Sequence, residues 1–458
     1  MHPTSQHLVP LHGIGSRGDL PLPFSYVVIG AAAALVISFV ILFFAWRRPR
    51  FATVHGIPLR GLTRVVDHAV VRAIAQLAIL ALYAWAGLAL GAGQDRLTNP
   101  AFGFVYVWMW VGLVPLSIVG GQFWRATNPL RTIHRGLCFL ARVEPDQGLV
   151  TLPRRLGVWP AAFGLFGFGW LELVQPDRTT VSVLRLWAVA WLVVLVLGAV
   201  IFGNRWIAAA DPFEAYASTV ARLSPWQRVE GQIRLGNPLA GLSSWDPPAG
   251  SAAVVAVLLG STAFDSFSNT SGWIQSVQDS ALDSIWWTAG GLVTMIAIVA
   301  VTFALASMGM ARFAPARHRA WDYPRLMAGS VVPIVIGYVV AHYTTLLVLE
   351  GQRTAINLSD PLGRGWNVFG SAEMGVNSAI FNHPTAVAVI QLAAVMFGHI
   401  LGIVIAHEKA LLHTGQGQGS ASSNRSKRHG TRILLAQLPM LAVMVFYTCS
   451  GLLLLFSP

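Results

Sequence analysis

Ten continuous apolar stretches punctuate the chain, at residues 24 to 46, 73 to 93, 103 to 124, 157 to 174, 181 to 203, 250 to 267, 285 to 310, 326 to 350, 385 to 408 and 433 to 457. A helix needs about 20 predominantly apolar residues to cross a bilayer core, and neither strand alternation nor a repeat of fixed period competes with that reading. The pattern predicts an all-α, polytopic integral membrane bundle of about ten transmembrane helices, with residues 1 to 458 forming a single membrane domain. Four intervening segments stand out: the N-terminal segment 1 to 23, a loop at 204 to 249, a long loop at 351 to 384 and a Gly, Ser and Gln-rich stretch at 412 to 432, which reads as a flexible loop. The fourth and sixth stretches are short or polar at one end.

Composition agrees. Of 458 residues 55% are hydrophobic and 11% charged, with net charge +12, against about 25% charged in a soluble domain. A soluble enzyme is excluded. If the N-terminus lies outside, 25 of the 31 basic residues fall in inner segments and six in outer ones, so the positive-inside rule favours N-out and C-out, with 204 to 249 and 412 to 432 cytoplasmic and 1 to 23 and 351 to 384 extracytoplasmic. The positive charge is then a topology signal, and no nucleic-acid partner is expected. Arg47, Arg48 and Arg50 follow the first span, where a signal peptide would carry its charge before it, so that span stays as an anchor. Lysine occurs only at positions 409 and 427 against 29 arginines, a bias of GC-rich genomes that points to a bacterial cytoplasmic membrane. Segment 125 to 142 alternates arginines with Leu130, Ile133, Leu137 and Phe139, predicting an amphipathic helix on the inner leaflet with its arginines toward the headgroups. Cys138 and Cys449 supply neither a disulfide framework nor a metal motif.

The outer ends of the later spans are more polar than a membrane anchor requires. Ser261, Asp265 and Asn269 share one face of the sixth span. Tyr338, His342 and Thr345 form a stripe on the eighth, with His342 expected about 12 Å below its outer end. His399 and His407 lie on the ninth. An intramembrane carboxylate normally faces a cavity or a partner, although Asp265 could also be a solvated helix end. The 351 to 384 loop adds Asp360, Arg364, Trp366 and Glu373 and has the composition of a packed lid. These residues suit a divalent metal held by Asp265, His342, Asp360 and Glu373 with one position open for hydrolysis. In that site Asp265, His342 and Arg364 would be catalytic, and His12, Arg17, Asn269 and Trp366 would contact a small amphiphilic substrate. Gly13, Gly15 and Gly18 satisfy GxGxxG, but no strand precedes them, so the pattern is not a dinucleotide site. Asp211 and Glu214 read as caps of a short helix.

The segments HGIGSRGDLPLP, NPLR, DPFEAY, RLSPW and FDSFSNTSGW, and the region from AHY to GHILGIVIAHE, resemble a family of bacterial, actinobacterial-type integral membrane proteins known as fenitrothion hydrolases. That resemblance covers most of the chain and implies a membrane-bound organophosphate-type hydrolase working with a second membrane polypeptide. It carries over no catalytic residue. Three functions therefore compete: an outward-facing, metal-assisted hydrolase of lipophilic phosphoesters, a multi-span transporter or permease, and a non-catalytic subunit of a membrane complex.

Overall fold

Apolar length sets the architecture. The computed structural model describes residues 17–313, 318–414 and 423–456, and among them ten helices are long and apolar enough to cross a membrane. They are α1 (Phe24–Ala45), α2 (Ala69–Ala92), α3 (Pro100–Gly120), α4 (Trp159–Leu173), α5 (Val181–Phe202), α6 (Ser251–Ser268), α7 (Ser284–Gly309), α8 (Val332–Asn357), α9 (Pro384–Thr414) and α10 (Ser423–Leu455). The chain is thus an all-α, multi-pass membrane bundle. An even number of crossings returns the chain to the face from which it started: Arg17 Nε donates to the Phe456 carbonyl at 2.9 Å while its guanidinium lies over the Phe24 ring.

The helices are not equivalent. The apolar windows of α6 and α8 are 72% and 78% buried inside the protein, whereas those of α2 and α5 are 17% and 22% buried. The outer helices present aliphatic side chains to lipid, and the inner two are walled by protein. Close approach at the centre is set by glycine. A Cβ on Gly337 of α8 would strike the Ala394 carbonyl of α9, and one on Gly398 or Gly402 would stand 2.6 Å from the Pro333 oxygen or 2.8 Å from the Ser330 oxygen. Small residues at such crossings are the usual means of bringing membrane helices together.

The spanning helix α3 and three short helices outside the main crossings begin with the same device. Asn99, Asn128, Asp211 and Asn237 each precede a proline and accept the N–H two residues on, which satisfies one orphan donor while proline supplies a helical φ. Asp211 therefore caps its helix as expected. That helix, Pro212–Val220, expected as a short helix in the 204 to 249 loop, is almost wholly buried against α3 and α4. One arginine of the helix Pro129–Ala141, expected to face outward toward the headgroups, departs from that reading: Arg131 is buried. The reason is an internal partner for the arginine. Arg131 makes a bidentate pair with Glu214 at 2.7 and 2.5 Å, and Asn128 Nδ2 donates to both Asp211 and Glu214.

Two further departures are local. Residues 423 to 432, anticipated as flexible loop, form the first turns of α10. A three-stranded antiparallel sheet, β1 (Gly56–Pro58), β2 (Trp226–Val229) and β3 (Gln232–Gly236), in the order β1-β3-β2, lies in the connections after α1 and α5. Its hairpin turns at Glu230 and Gly231, both at positive φ, as a two-residue hairpin turn requires.

Candidate functional site

The two most buried helices carry the polar centre. Helix α6 runs on through Asp265 to Ser268, so Asp265 is an intramembrane carboxylate, 6% exposed, and not a solvated end. Asp265 and Ser266 are adjacent and diverge by about 100° around the helix, leaving a gap between them that the His342 imidazole of α8 fills. His342 Nε2 lies 3.0 Å from Asp265 Oδ2, and Nδ1 lies 3.1 Å from Ser266 Oγ. Tyr343 donates its hydroxyl to the same Asp265 oxygen at 2.8 Å, and Tyr338 donates to Ser266 Oγ at 2.9 Å. The Tyr338 and His342 rings lie nearly parallel, one helical turn apart.

The network assigns its own protons. Because Ser266 Oγ accepts from Tyr338, its hydroxyl proton is directed to His342 Nδ1, and the ring then carries its hydrogen on Nε2 and donates it to Asp265. A continuous donor chain runs from Tyr338 through Ser266 and His342 to Asp265. The Glu172 carboxylate near the end of α4 is within electrostatic reach of Asp265, Tyr106, Tyr216 and Tyr343. An imidazole bonded on both nitrogens can accept a proton on one side and release one on the other, so the arrangement is suited to moving a proton.

The other sequence candidates lie elsewhere. Asn269 is exposed and donates to the Asp265 backbone carbonyl, closing the end of α6. Helix α8 continues to Asn357, so Asp360 is more than about 20 Å along the helix axis from His342. Asp360 accepts the backbone N–H of Arg364 at 2.9 Å and of Gly365 at 2.7 Å. Burial raises its carboxyl, but these and neighbouring backbone donors outweigh it and hold it below the usual carboxylate range. Arg364 and Glu373 are exposed, as is Trp366. The loop packs sideways: Phe369 lies against Trp85, whose Nε1 donates to the Leu358 carbonyl. Arg17 is engaged at the α10 terminus, and His12 lies outside the described residues. The expected four-residue metal shell is therefore not assembled, and among the described residues no three His, Cys, Asp or Glu side chains converge as a metal shell. Glu408 and His407 of α9 fasten the chain after α1: Glu408 accepts from the backbone N–H of Arg50 and Phe51, each at 3.0 Å, and His407 Nε2 meets the Trp46 carbonyl at 2.7 Å.

The sequence reading passed over Ser266, Tyr343 and Glu172. The first two sit one position from residues it singled out, off the i, i+4 stripe it followed. Glu172 was legible as a lone carboxylate in a membrane-length stretch. Compared with known proteins, the chain matches no family model, no curated protein and no solved structure.

Proposed function

We propose that this protein is a multi-span transporter of small amphiphiles in a bacterial cytoplasmic membrane, and that its transport step moves a proton through His342 and Asp265. The supporting observation is the imidazole held between Asp265 and Ser266 on the two most buried helices. Ionisable groups at such depth are costly and mark ion or proton pathways when they pair with one another. Proteoliposomes loaded with a pH-sensitive dye, given an inward proton gradient and clamped with valinomycin, test the idea. Proton entry several-fold above that of protein-free vesicles, abolished by His342→Gln, supports it; entry equal to that of protein-free vesicles overturns it.

One observation favours a second reading. Ser266 Oγ, the His342 ring and Asp265 follow one another in the order of a serine hydrolase triad, and the fenitrothion hydrolase resemblance points the same way. In that reading Ser266 Oγ attacks a lipophilic ester, its proton passes to His342 Nδ1 and then to the departing alcohol, and water releases the acyl or phosphoryl group from Ser266. Against it, Ser266 is 5% exposed and Tyr338 occupies one of its lone pairs. A lipophilic fluorophosphonate that labels the wild type and not Ser266→Ala would establish this reading. It would be tested with and without a second membrane polypeptide recovered by co-purification.

A further inference from the structure

Between α6, α7, α8, α9 and α10 lies a cavity of about 340 Å³, within the range of small-molecule sites. Its wall includes Leu259, Phe267, Val299, Ile334 and Leu454. Ile298, Phe446 and Leu453, also on its rim, are 41%, 50% and 45% exposed on the apolar flank of the bundle, so the cavity opens sideways, toward lipid. Most polar groups on its wall are already engaged: Tyr338 donates to Ser266, and Tyr447 donates to the Val299 carbonyl and pairs with Thr302.

Two polar residues on the wall are left, the half-buried Ser450 and the fully buried His399. His399 is 1% exposed and sits midway along α9. Its Nδ1 is 2.9 Å from the Val395 carbonyl of its own helix, whereas Nε2 is buried with no partner among the described residues. Donating from Nδ1 leaves a lone pair on Nε2. A buried acceptor in an apolar chamber loses free energy unless something donates to it, and a chamber whose wall is almost wholly apolar is a poor place for water.

We infer that this cavity binds a single-chain lipophile carrying one hydroxyl, which enters from the bilayer, lays its apolar body against the wall and donates its O–H to His399 Nε2. The volume suits one chain better than two. This inference goes beyond proton transfer at His342 and does not depend on it, although Tyr338 belongs to both, with its ring on the cavity wall and its hydroxyl on Ser266.

The test uses the full chain in proteoliposomes and a photoreactive, alkyne-tagged hexadecanol, with cross-linked peptides identified by mass spectrometry. Cross-links should map to the segments around Leu259 and Phe446. Untagged hexadecanol should displace the probe about tenfold better than hexadecyl methyl ether, which has the same chain and no donor. His399→Leu should erase that preference while retaining apolar labelling. Equal displacement by alcohol and ether in the wild type, or an unchanged preference in His399→Leu, overturns the inference. Dioleoylglycerol competing as well as hexadecanol would overturn the single-chain assignment. Tyr338→Phe keeps the wall and removes the bond to Ser266, so labelling that persists while proton entry falls separates the two ideas.

Discussion

Two buried polar clusters in this bundle are each built around a carboxylate and put it to opposite ends. In one, Glu214 faces the Arg131 guanidinium in bidentate contact, and Asn128 ties the pair to Asp211 and to two helix starts. In the other, Asp265 faces an imidazole and two tyrosines supply the flanking hydroxyls. A guanidinium does not give up its proton, so the Arg131–Glu214 pair keeps its cation and acts as a fastener between short helices. An imidazole has a nitrogen that can take up a proton and another that can release one, which is the chemistry the proposed transfer needs. A buried charge next to a permanent counter-charge builds structure, and one next to an imidazole is what the proposed proton transfer would use.

Substitutions should separate the two. Arg131→Met leaves Glu214 buried without its cation and should cost about 3–5 kcal/mol, read as a fall in the unfolding midpoint of detergent-purified protein. Adding Glu214→Leu should return most of that loss. If Arg131→Met is tolerated, the fastener account fails.

Titration gives the next effect. Burial, reinforced by neighbouring Glu214, pushes the Asp211 carboxyl up from 3.8 to about 7, against hydrogen bonds from Asn128 and the Phe213 backbone. The folded state therefore binds a proton that the unfolded chain has already released. Its contribution is fully present below about pH 4 and declines by about 1.4 kcal/mol per pH unit, until it is lost as pH passes the folded value near 7. Unfolding midpoints measured from pH 4.5 to 7.5 should fall across that window in the wild type and flatten in Asp211→Asn. A smaller contrast comes from two tyrosines. Tyr343→Phe removes the hydroxyl that Asp265 accepts and should cost about 1.5–2 kcal/mol. Tyr216→Phe removes a buried hydroxyl with no hydrogen-bond partner among the described residues and should be neutral to within about 0.5 kcal/mol. Equal costs would mean that the Asp265 network is no better satisfied than its surroundings.

What could be read from the sequence follows from the range over which each signal acts. A membrane span is a local property, and all ten were legible from runs of apolar residues. The end of α8 was not, because Glu350, Gln352 and Arg353 read as loop. The helix continues since Arg353 pairs with Glu350 at 3.1 Å and Thr354 bonds back to the Glu350 carbonyl, and His342 consequently lies about 22 Å from the helix end, not 12 Å. The inward turn of Arg131 was hidden for another reason: its partner Glu214 is 83 residues away in the chain. Asp265 and His342 were both chosen as candidates for one site because each was an ionisable group in an apolar run. Their true companions, Ser266 and Tyr343, are ordinary in sequence and acquire meaning only when α6 and α8 face each other. The hairpin at 226–236 did carry a signal, a Glu-Gly turn between alternating residues, but it was overlooked in a chain dominated by helices.

The most direct test pairs proton entry with stability in a single substitution. Asp265→Asn keeps the shape of the side chain and an acceptor for Tyr343 but removes the carboxylate that takes the His342 proton. Dye-loaded proteoliposomes of this variant should show proton entry reduced at least about 100-fold relative to wild type, while its unfolding midpoint stays within about 1 kcal/mol of wild type. Proton entry that persists in Asp265→Asn, or an unfolding loss as large as that of Arg131→Met, would contradict the claim that this cluster is a proton device and not a second fastener.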